Sequence, residues 1–350
     1  MSQKHSEVQQ YYGESLKSTE DLQTNACCTM SPPPKHIRET ISMIHDEVLD
    51  KYYGCGLTIP YQLEGLKILD LGSGSGRDCF IASKLVGQTG EVVGVDMTDE
   101  QLSVANKYID YHTQQFGFQY ANTKFIKGNI EALDLLDLEE NSFDLIISNC
   151  VINLAEDKLK VLKDAYRLLK PGGEMHFSDV YSDRRISKEL QADPVLWGEC
   201  LSGALYWNDF LNIAKKAGFT DPRNVDSKPI DIGNDALAEK LGLINFFSVT
   251  YRLFKLDALE SDCEDYGQAV SYNGTIKGLK DAFALDDHHV FPTGKMITVC
   301  GNTYMMLADT RFKDHFRFYG SFDTHYGIFE GCGSKMPFSE NAAGDDIGCC

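Results

Sequence analysis

Basic residues are in short supply: 33 Lys and Arg against 52 Asp and Glu leave a net charge of −19 over 350 residues. A nucleic-acid partner needs clustered Lys and Arg to neutralise phosphates, and an anionic membrane surface needs the same. The acidic excess argues against both as partners. Long apolar runs are missing too. The uncharged apolar stretch 145–155 has only 11 residues, and a spanning helix needs about 20. The opening MSQKHSEVQQYYG has no apolar core of a signal peptide, so a cytoplasmic protein is expected. No two cysteines stand at the C-x₂₋₄-C spacing of a structural zinc site. Yet there are 11 of them, an odd number and a high one for a reducing compartment, where disulfide scaffolds are rare. The thiols therefore call for another reason.

Composition is otherwise that of a globular protein, with 43% apolar and 11% aromatic residues. The length suggests about two domains. After Pro32-Pro33-Pro34, apolar residues Ile37, Ile41, Ile44, Val48 and Tyr52 recur at helical spacing, predicting one helix that stops at Gly54. Strand signals follow at 67–72, 91–97, 123–129, 143–150 and 174–180, separated by helical patterns. One of those helices is expected to end in Lys170-Pro171-Gly172-Gly173. Such alternation implies βαβ units and a parallel sheet. A helix at about 201–217 and weaker strands at 219–232 and 245–256 come next. Beyond 257 the alternation stops, with a single helix candidate at about 303–313. The organisation expected is an N-terminal segment with its helix at 1–60, an α/β domain at 61–257, a small domain at 258–330 and a Cys-containing tail at 331–350.

Asp70-Leu71-Gly72-Ser73-Gly74-Ser75-Gly76 follows the first strand and opens a helix. Glycines there allow a sharp turn and close approach of a ligand to the backbone, and the helix N-terminus favours negative charge. Asp96 ends the second strand, where an acid can bond ribose hydroxyls. The dinucleotide fingerprint G-x-G-x-x-G/A fails, because position 77 is Arg. The loop instead resembles the S-adenosylmethionine loop of class I methyltransferases, as does LLKPGG at 168–173. In that family the turn after strand three, Gly128-Asn129-Ile130-Glu131 here, holds adenine, and strand four, ending at Asn149-Cys150, stands beside the methyl group.

The segments VQQYYGESLK, DLQTNAC, PKHIRE, YYGCGL, ILDLGSGSGRDC, SNCVINL, FSDVY and LWGECLSGALYW together closely resemble the arsenite methyltransferases, over roughly residues 8–257. The resemblance implies a Rossmann-like class I methyltransferase fold, an α/β architecture with a mostly parallel seven-stranded sheet, and a small α+β C-terminal domain. It implies successive methylation of arsenite and methylarsenite by S-adenosylmethionine, with thioredoxin or glutathione as thiol reductant, in a monomer. It assigns Cys55, Cys150 and Cys200 to arsenic(III), as soft thiolates suit a thiophilic centre. Cys27 matches a cysteine that forms a disulfide with the one at Cys55 during redox cycling; the adjacent Cys28 leaves open which of the two pairs. The cofactor set so implied is Asp70, Gly72, Ser73, Gly74, Gly76, Asp96, Met97, Asn129, Ile130, Asn149 and Tyr53, with Tyr11 and Tyr12 as further cover or as plain packing. Cys79 is expected to be a core thiol. Cys263 and Cys300 match no motif, and Cys332, Cys349 and Cys350 are either arsenic-transfer thiols or incidental. Asp286-Asp287-His288-His289 reads as a solvated loop. Three competing functions are an organic-substrate methyltransferase, a thiol-rich metalloid binder and, against Arg77, a nicotinamide oxidoreductase.

Overall fold

The computed structural model describes residues 3–16, 24 and 33–332. Among them, one compact unit ends at Lys255 and takes back residues 284–289; the other comprises 256–283 and the chain from Val290 onward.

The first unit is built on a sheet of β1 (Lys67–Leu71), β2 (Glu91–Asp96), β3 (Thr123–Lys127), β4 (Phe143–Asn149), β5 (Leu169–Ser182), β6 (Leu205–Tyr206), β7 (Arg223–Pro229) and β8 (Phe246–Phe254). Seven strands run in the order β3-β2-β1-β4-β5-β8-β7, with the two-residue β6 paired to β5 off that path. The pairs of β1, β2, β3, β4 and β5 are parallel, while β8 is antiparallel to β5 and β7. The central strands are apolar on both faces, as a sheet covered on both sides requires. Successive residues go to opposite cores: Leu69, Leu71, Val93 and Ile146 to one, Ile68, Val92, Leu145 and Ile147 to the other. At the edge, β3 carries Lys124 and Lys127, charges that protect an open strand.

Among the described residues of this unit the α-helices are α1 (Gln3–Gln10), α2 (Lys35–Ile41), α3 (Asp46–Leu49), α4 (Arg77–Val86), α5 (Asp99–Lys107), α6 (Ile109–Gln115), α7 (Lys158–Leu168), α8 (Lys188–Gln191), α9 (Pro194–Gly198), α10 (Trp207–Ala217) and α11 (Asp235–Leu241). Three differ from expectation. The single helix predicted from Ile37 to Tyr52 is two, because His45 is extended and its Nδ1 accepts the Glu47 N–H at 3.1 Å, starting α3 anew. Ile37, Ile44 and Val48 still enter one core, so the period held while the backbone broke. The segment 169–173 is not a helix tail but the start of β5: Gly172 N–H donates to Lys255 O, and Lys255 N–H to Gly173 O, each at 2.9 Å. The helix expected from 201 begins only at Trp207, since Leu201 and Ser202 both turn back to Leu196 O.

The second unit has a three-stranded antiparallel sheet, Gln268–Tyr272 between Met296–Val299 and Phe316–Tyr319, with a helix at Gly301–Ala308 rather than 303–313. Tyr272, Phe283, Phe291, Phe312 and Phe316 fill its core. Of Asp286-Asp287-His288-His289, expected as a solvated loop, Asp287 and His288 are exposed but Asp286 is not. Asp286 is 3% exposed, and its carboxylate meets Arg223 Nη1 at 3.1 Å and His289 Nδ1 at 2.7 Å. Burial alone would raise its pKa; His289 and Arg223 overcome this and hold it at about 2.

Candidate active site

The sheet order reverses between β1 and β4, and an open α/β sheet binds ligands at the carboxyl ends of its strands at such a point. The glycine loop leaves β1 there. Gly72, Gly74 and Gly76 have φ of 75°, 52° and 89°, values that L side chains rarely adopt. A Cβ on Gly72 would also overlap Val151, in the loop after β4. The N–H groups of Gly72 and Ser73 bond Val95 O at 2.8 and 3.0 Å, pinning the loop to β2. Asp96 accepts from Gly74 N–H at 2.9 Å through Oδ2 and from Thr98 N–H at 2.8 Å through Oδ1. Burial nonetheless raises its pKa. Asp70, also buried and close to Asp78, is pushed up further, although Cys79 Sγ donates to it at 3.2 Å.

These groups line a pocket of about 940 Å³, its open mouth included, a size suited to a cofactor-scale ligand. Asp70, Gly72, Ser73, Gly74, Asp96, Met97, Asn129, Ile130, Asn149, Tyr53 and Cys150 all face it. Gly76 does not; its left-handed φ starts α4, and a Cβ there would meet Phe125 at 2.7 Å. One wall comes from the N-terminal segment, through His5, Val8 and Tyr12. Gln9 Nε2 donates to Met97 O at 2.8 Å, His5 Nε2 lies 2.5 Å from Glu131 Oε2, and the rings of Tyr12 and Tyr53 meet edge-on at 5.5 Å. Asn129 Oδ1 accepts the Glu131 N–H at 2.8 Å, opening the short helical turn after β3. Two buried pocket atoms, Ser73 Oγ and Gln101 Oε1, have no hydrogen-bond partner among the described residues. A cradle that a Cβ would fill, two polar atoms awaiting partners and an acid at the end of β2 together fit S-adenosylmethionine.

Cys150 follows β4 at the pocket edge, and the structure brings Cys55 and Cys200 to it. All three are at most 2% exposed and share one apolar cluster with Val8, Leu196 and Trp197. Cys150 and Cys55 form a disulfide with Cα atoms 5.9 Å apart. Cys200 Sγ donates to Cys150 O at 3.1 Å. Cys150 and Cys200 have φ of 56° and 60°, two of only four positive values at non-glycine residues among those described. Such geometry costs roughly 1–2 kcal/mol per residue and collects at functional sites. The three thiolates expected are thus not the state seen, because two of the sulfurs are bonded to each other. Among the described residues no group of three His, Cys, Asp or Glu is disposed to hold a metal ion. The resemblance paired Cys55 with Cys27 or Cys28 during redox cycling; both lie outside the described residues, as do Cys349 and Cys350. Cys79 and Cys300 are buried, while Cys263 and Cys332 are partly exposed.

Several site residues escaped the sequence reading. Glu199, fully buried beside Cys200, accepts from Tyr11 Oη at 2.5 Å, Thr24 Oγ1 at 2.7 Å and Thr24 N–H at 3.1 Å. Lys158 is buried, donates to Ala155 O at 2.7 Å, and has a pKa lowered to about 8 by that burial. Asp179 is raised to about 7, again by burial. A Lys or Glu on a helix or turn reads as surface, so only WGEC, which places Glu199 beside a cysteine, held any signal.

Residues 62–218 match the family described as methyltransferase domain, and residues 266–339 the arsenite methyltransferase C-terminal domain. A curated arsenite methyltransferase of Aquipseudomonas alcaligenes is 58% identical over 97% of both chains. That of Rattus norvegicus is 48% identical over 90% of this chain and 85% of its own. The crystal structure of an arsenic(III) S-adenosylmethionine methyltransferase from Chlamydomonas reinhardtii superposes with a TM-score of 0.83 at 50% identity, covering 85% of this chain and all of that one. With a glycine-loop pocket at the sheet's switch point and cysteines gathered at its edge, the chain belongs to the arsenite methyltransferase family.

Proposed function

We propose that this chain methylates trivalent arsenic held by Cys55, Cys150 and Cys200, and that the Cys55–Cys150 disulfide is the oxidised form of that site. The observation that carries the reading is the meeting of three buried cysteines at the edge of the cofactor pocket, with Cys150 in both. S-adenosylmethionine supplies a methyl group on a positively charged sulfur, open to in-line displacement. Asp96, Ser73 and the glycine loop bind and orient it, while His5, Val8 and Tyr12 shield the pocket from water. The cysteines bind arsenic(III) by displacing its hydroxyls as water. The arsenic lone pair is the nucleophile, so no side chain has to take a proton from it. The protein's part is alignment, worth several kcal/mol at a reacting distance of about 3–3.5 Å.

Methyl transfer forms an As–C bond, breaks the S–CH3 bond with S-adenosylhomocysteine as the leaving group, and takes arsenic formally from three to five. Breaking the two As–S bonds to Cys55 and Cys150 as those sulfurs join in a disulfide leaves an electron pair on arsenic, which returns it to three without releasing a proton. A dithiol reductant of the thioredoxin type, or two glutathiones, then reopens Cys55–Cys150 by exchange. The test is incubation with arsenite, S-adenosylmethionine, glutathione and thioredoxin, followed by arsenic speciation. Methylated arsenic is expected, falling at least 100-fold in Cys200→Ser. Absence of methylated arsenic from wild-type protein that binds the cofactor would reject the reading, as would a fully active Cys200→Ser.

A further inference from the structure

Asn149 was expected to serve the cofactor, yet its carboxamide is committed elsewhere. Oδ1 accepts from the backbone N–H groups of Cys55 at 3.1 Å and Gly56 at 3.3 Å. Nδ2 donates to Tyr52 Oη at 2.7 Å, Gly56 O at 2.8 Å and Asp78 Oδ2 at 3.1 Å. Both lone pairs and both hydrogens of the amide are engaged, and most of these bonds go to the turn 52–56. The donor pattern also fixes which way the amide points, with backbone N–H groups on one side and oxygens on the other. Tyr52 and Asp78 are themselves held: the Arg77 guanidinium lies 3.8 Å over the Tyr52 ring and its Nη1 donates to Asp78 Oδ1 at 2.8 Å. A Cβ on Gly54 would come within 2.9 Å of Asn149 Cγ, and one on Gly56 would strike Ser178 Oγ. The turn YYGCG is therefore pressed against Asn149 on one side and β5 on the other.

We propose that Asn149 is a positioning residue. Its carboxamide holds the 52–56 turn so that the Cys55 sulfur faces that of Cys150, the residue next to Asn149 itself. Asn149 thereby sets how readily the two thiols close and how well they take a thiophilic centre. Arg77, Tyr52 and Asp78 hold the amide in turn. The arsenic half of this inference rests on the proposed function; the disulfide half does not. Removing the amide leaves the Cys55 N–H without its buried acceptor and frees the turn to move.

The experiment uses the full chain without cofactor, as wild type, Asn149→Ala and the milder Tyr52→Phe. The Cys55–Cys150 equilibrium is read in glutathione redox buffers (one disulfide plus two glutathiones giving two thiols and one glutathione disulfide), and arsenite affinity by calorimetry on reduced protein. In Asn149→Ala the equilibrium constant for disulfide formation is expected to fall at least five-fold and arsenite binding to weaken at least ten-fold, with Tyr52→Phe moving both in the same direction by less. Values within two-fold of wild type for the disulfide in both variants would overturn the proposal, whatever happens to cofactor affinity. If wild-type protein binds no arsenite, the proposed function fails, while the disulfide measurement still decides the role of Asn149.

Discussion

At the scale of single residues, this site is governed by what glycine and cysteine do to a backbone. Gly72 is fixed twice over, by a φ of 75° and by Val151 standing where a Cβ would go. Gly72→Ala should therefore weaken S-adenosylmethionine binding at least ten-fold by calorimetry. Adding Val151→Ala should restore only part of it, because the second change removes the overlap and not the dihedral cost. Full restoration would show that crowding alone selects glycine. Cys150 and Cys200 adopt the same left-handed region without glycine's freedom. The sequence named them through motif resemblance; nothing in their spacing could show the dihedrals, which arise from tight turns after β4 and α9.

Among the elements, α6 shows how a polar residue is built into a helix interface. His112 is 1% exposed, and its ring stacks on Phe80 of α4 with centroids 3.8 Å apart. Its Nδ1 meets Tyr108 O at 2.8 Å, and its Nε2 accepts the His45 N–H at 3.2 Å. That pair of bonds describes a neutral imidazole with the proton on Nδ1. Burial first, then the nearby His45, lower its pKa from 6.5 to about 4. A folded-state pKa below the unfolded one means the unfolded chain binds the extra proton as pH falls. The stabilisation is full above about pH 6.5 and is lost progressively toward pH 4, by up to about 3 kcal/mol. An NMR titration should find His112 still neutral at pH 5.5, and a midpoint above 6 would refute this. The apolar period of the N-terminal segment was legible, but not the break at His45, since a local side-chain cap interrupts a helix without disturbing its apolar face. Likewise Lys-Pro-Gly-Gly after α7 reads as a helix stop, and only pairing with the chain beyond β8 makes it strand.

For the molecule as a whole, the Cys55–Cys150 bond ties the segment before the sheet to its centre across 95 residues of chain. Closing a loop of that length restricts the unfolded chain by about 4–5 kcal/mol. Urea unfolding of arsenic-free protein should accordingly give a higher midpoint oxidised than reduced, and the difference should vanish in Cys55→Ser. Equal midpoints in the two wild-type forms would show that the bond does not form in solution. Strand–helix alternation, the glycine loop and Asp96 were readable because each is a local pattern: a period, a turn, a residue ending a strand. The alternation determined the fold class, while the cofactor and the family were read from the resemblance of the loop and of the cysteine-bearing segments to known methyltransferases. What tertiary structure decided was proximity. Cys55, Cys150 and Cys200 are separated by 95 and 50 positions yet share one buried cluster. The amide of Asn149 spends its bonds on a turn almost a hundred residues away. Glu199 and Lys158, charged residues that composition would leave on the surface, are buried, with Thr24 bonding Glu199 and the Trp197 ring 5.3 Å from the Lys158 ammonium. No period or spacing encodes such contacts, because they depend on where the sheet order reverses and on which loops that reversal brings together.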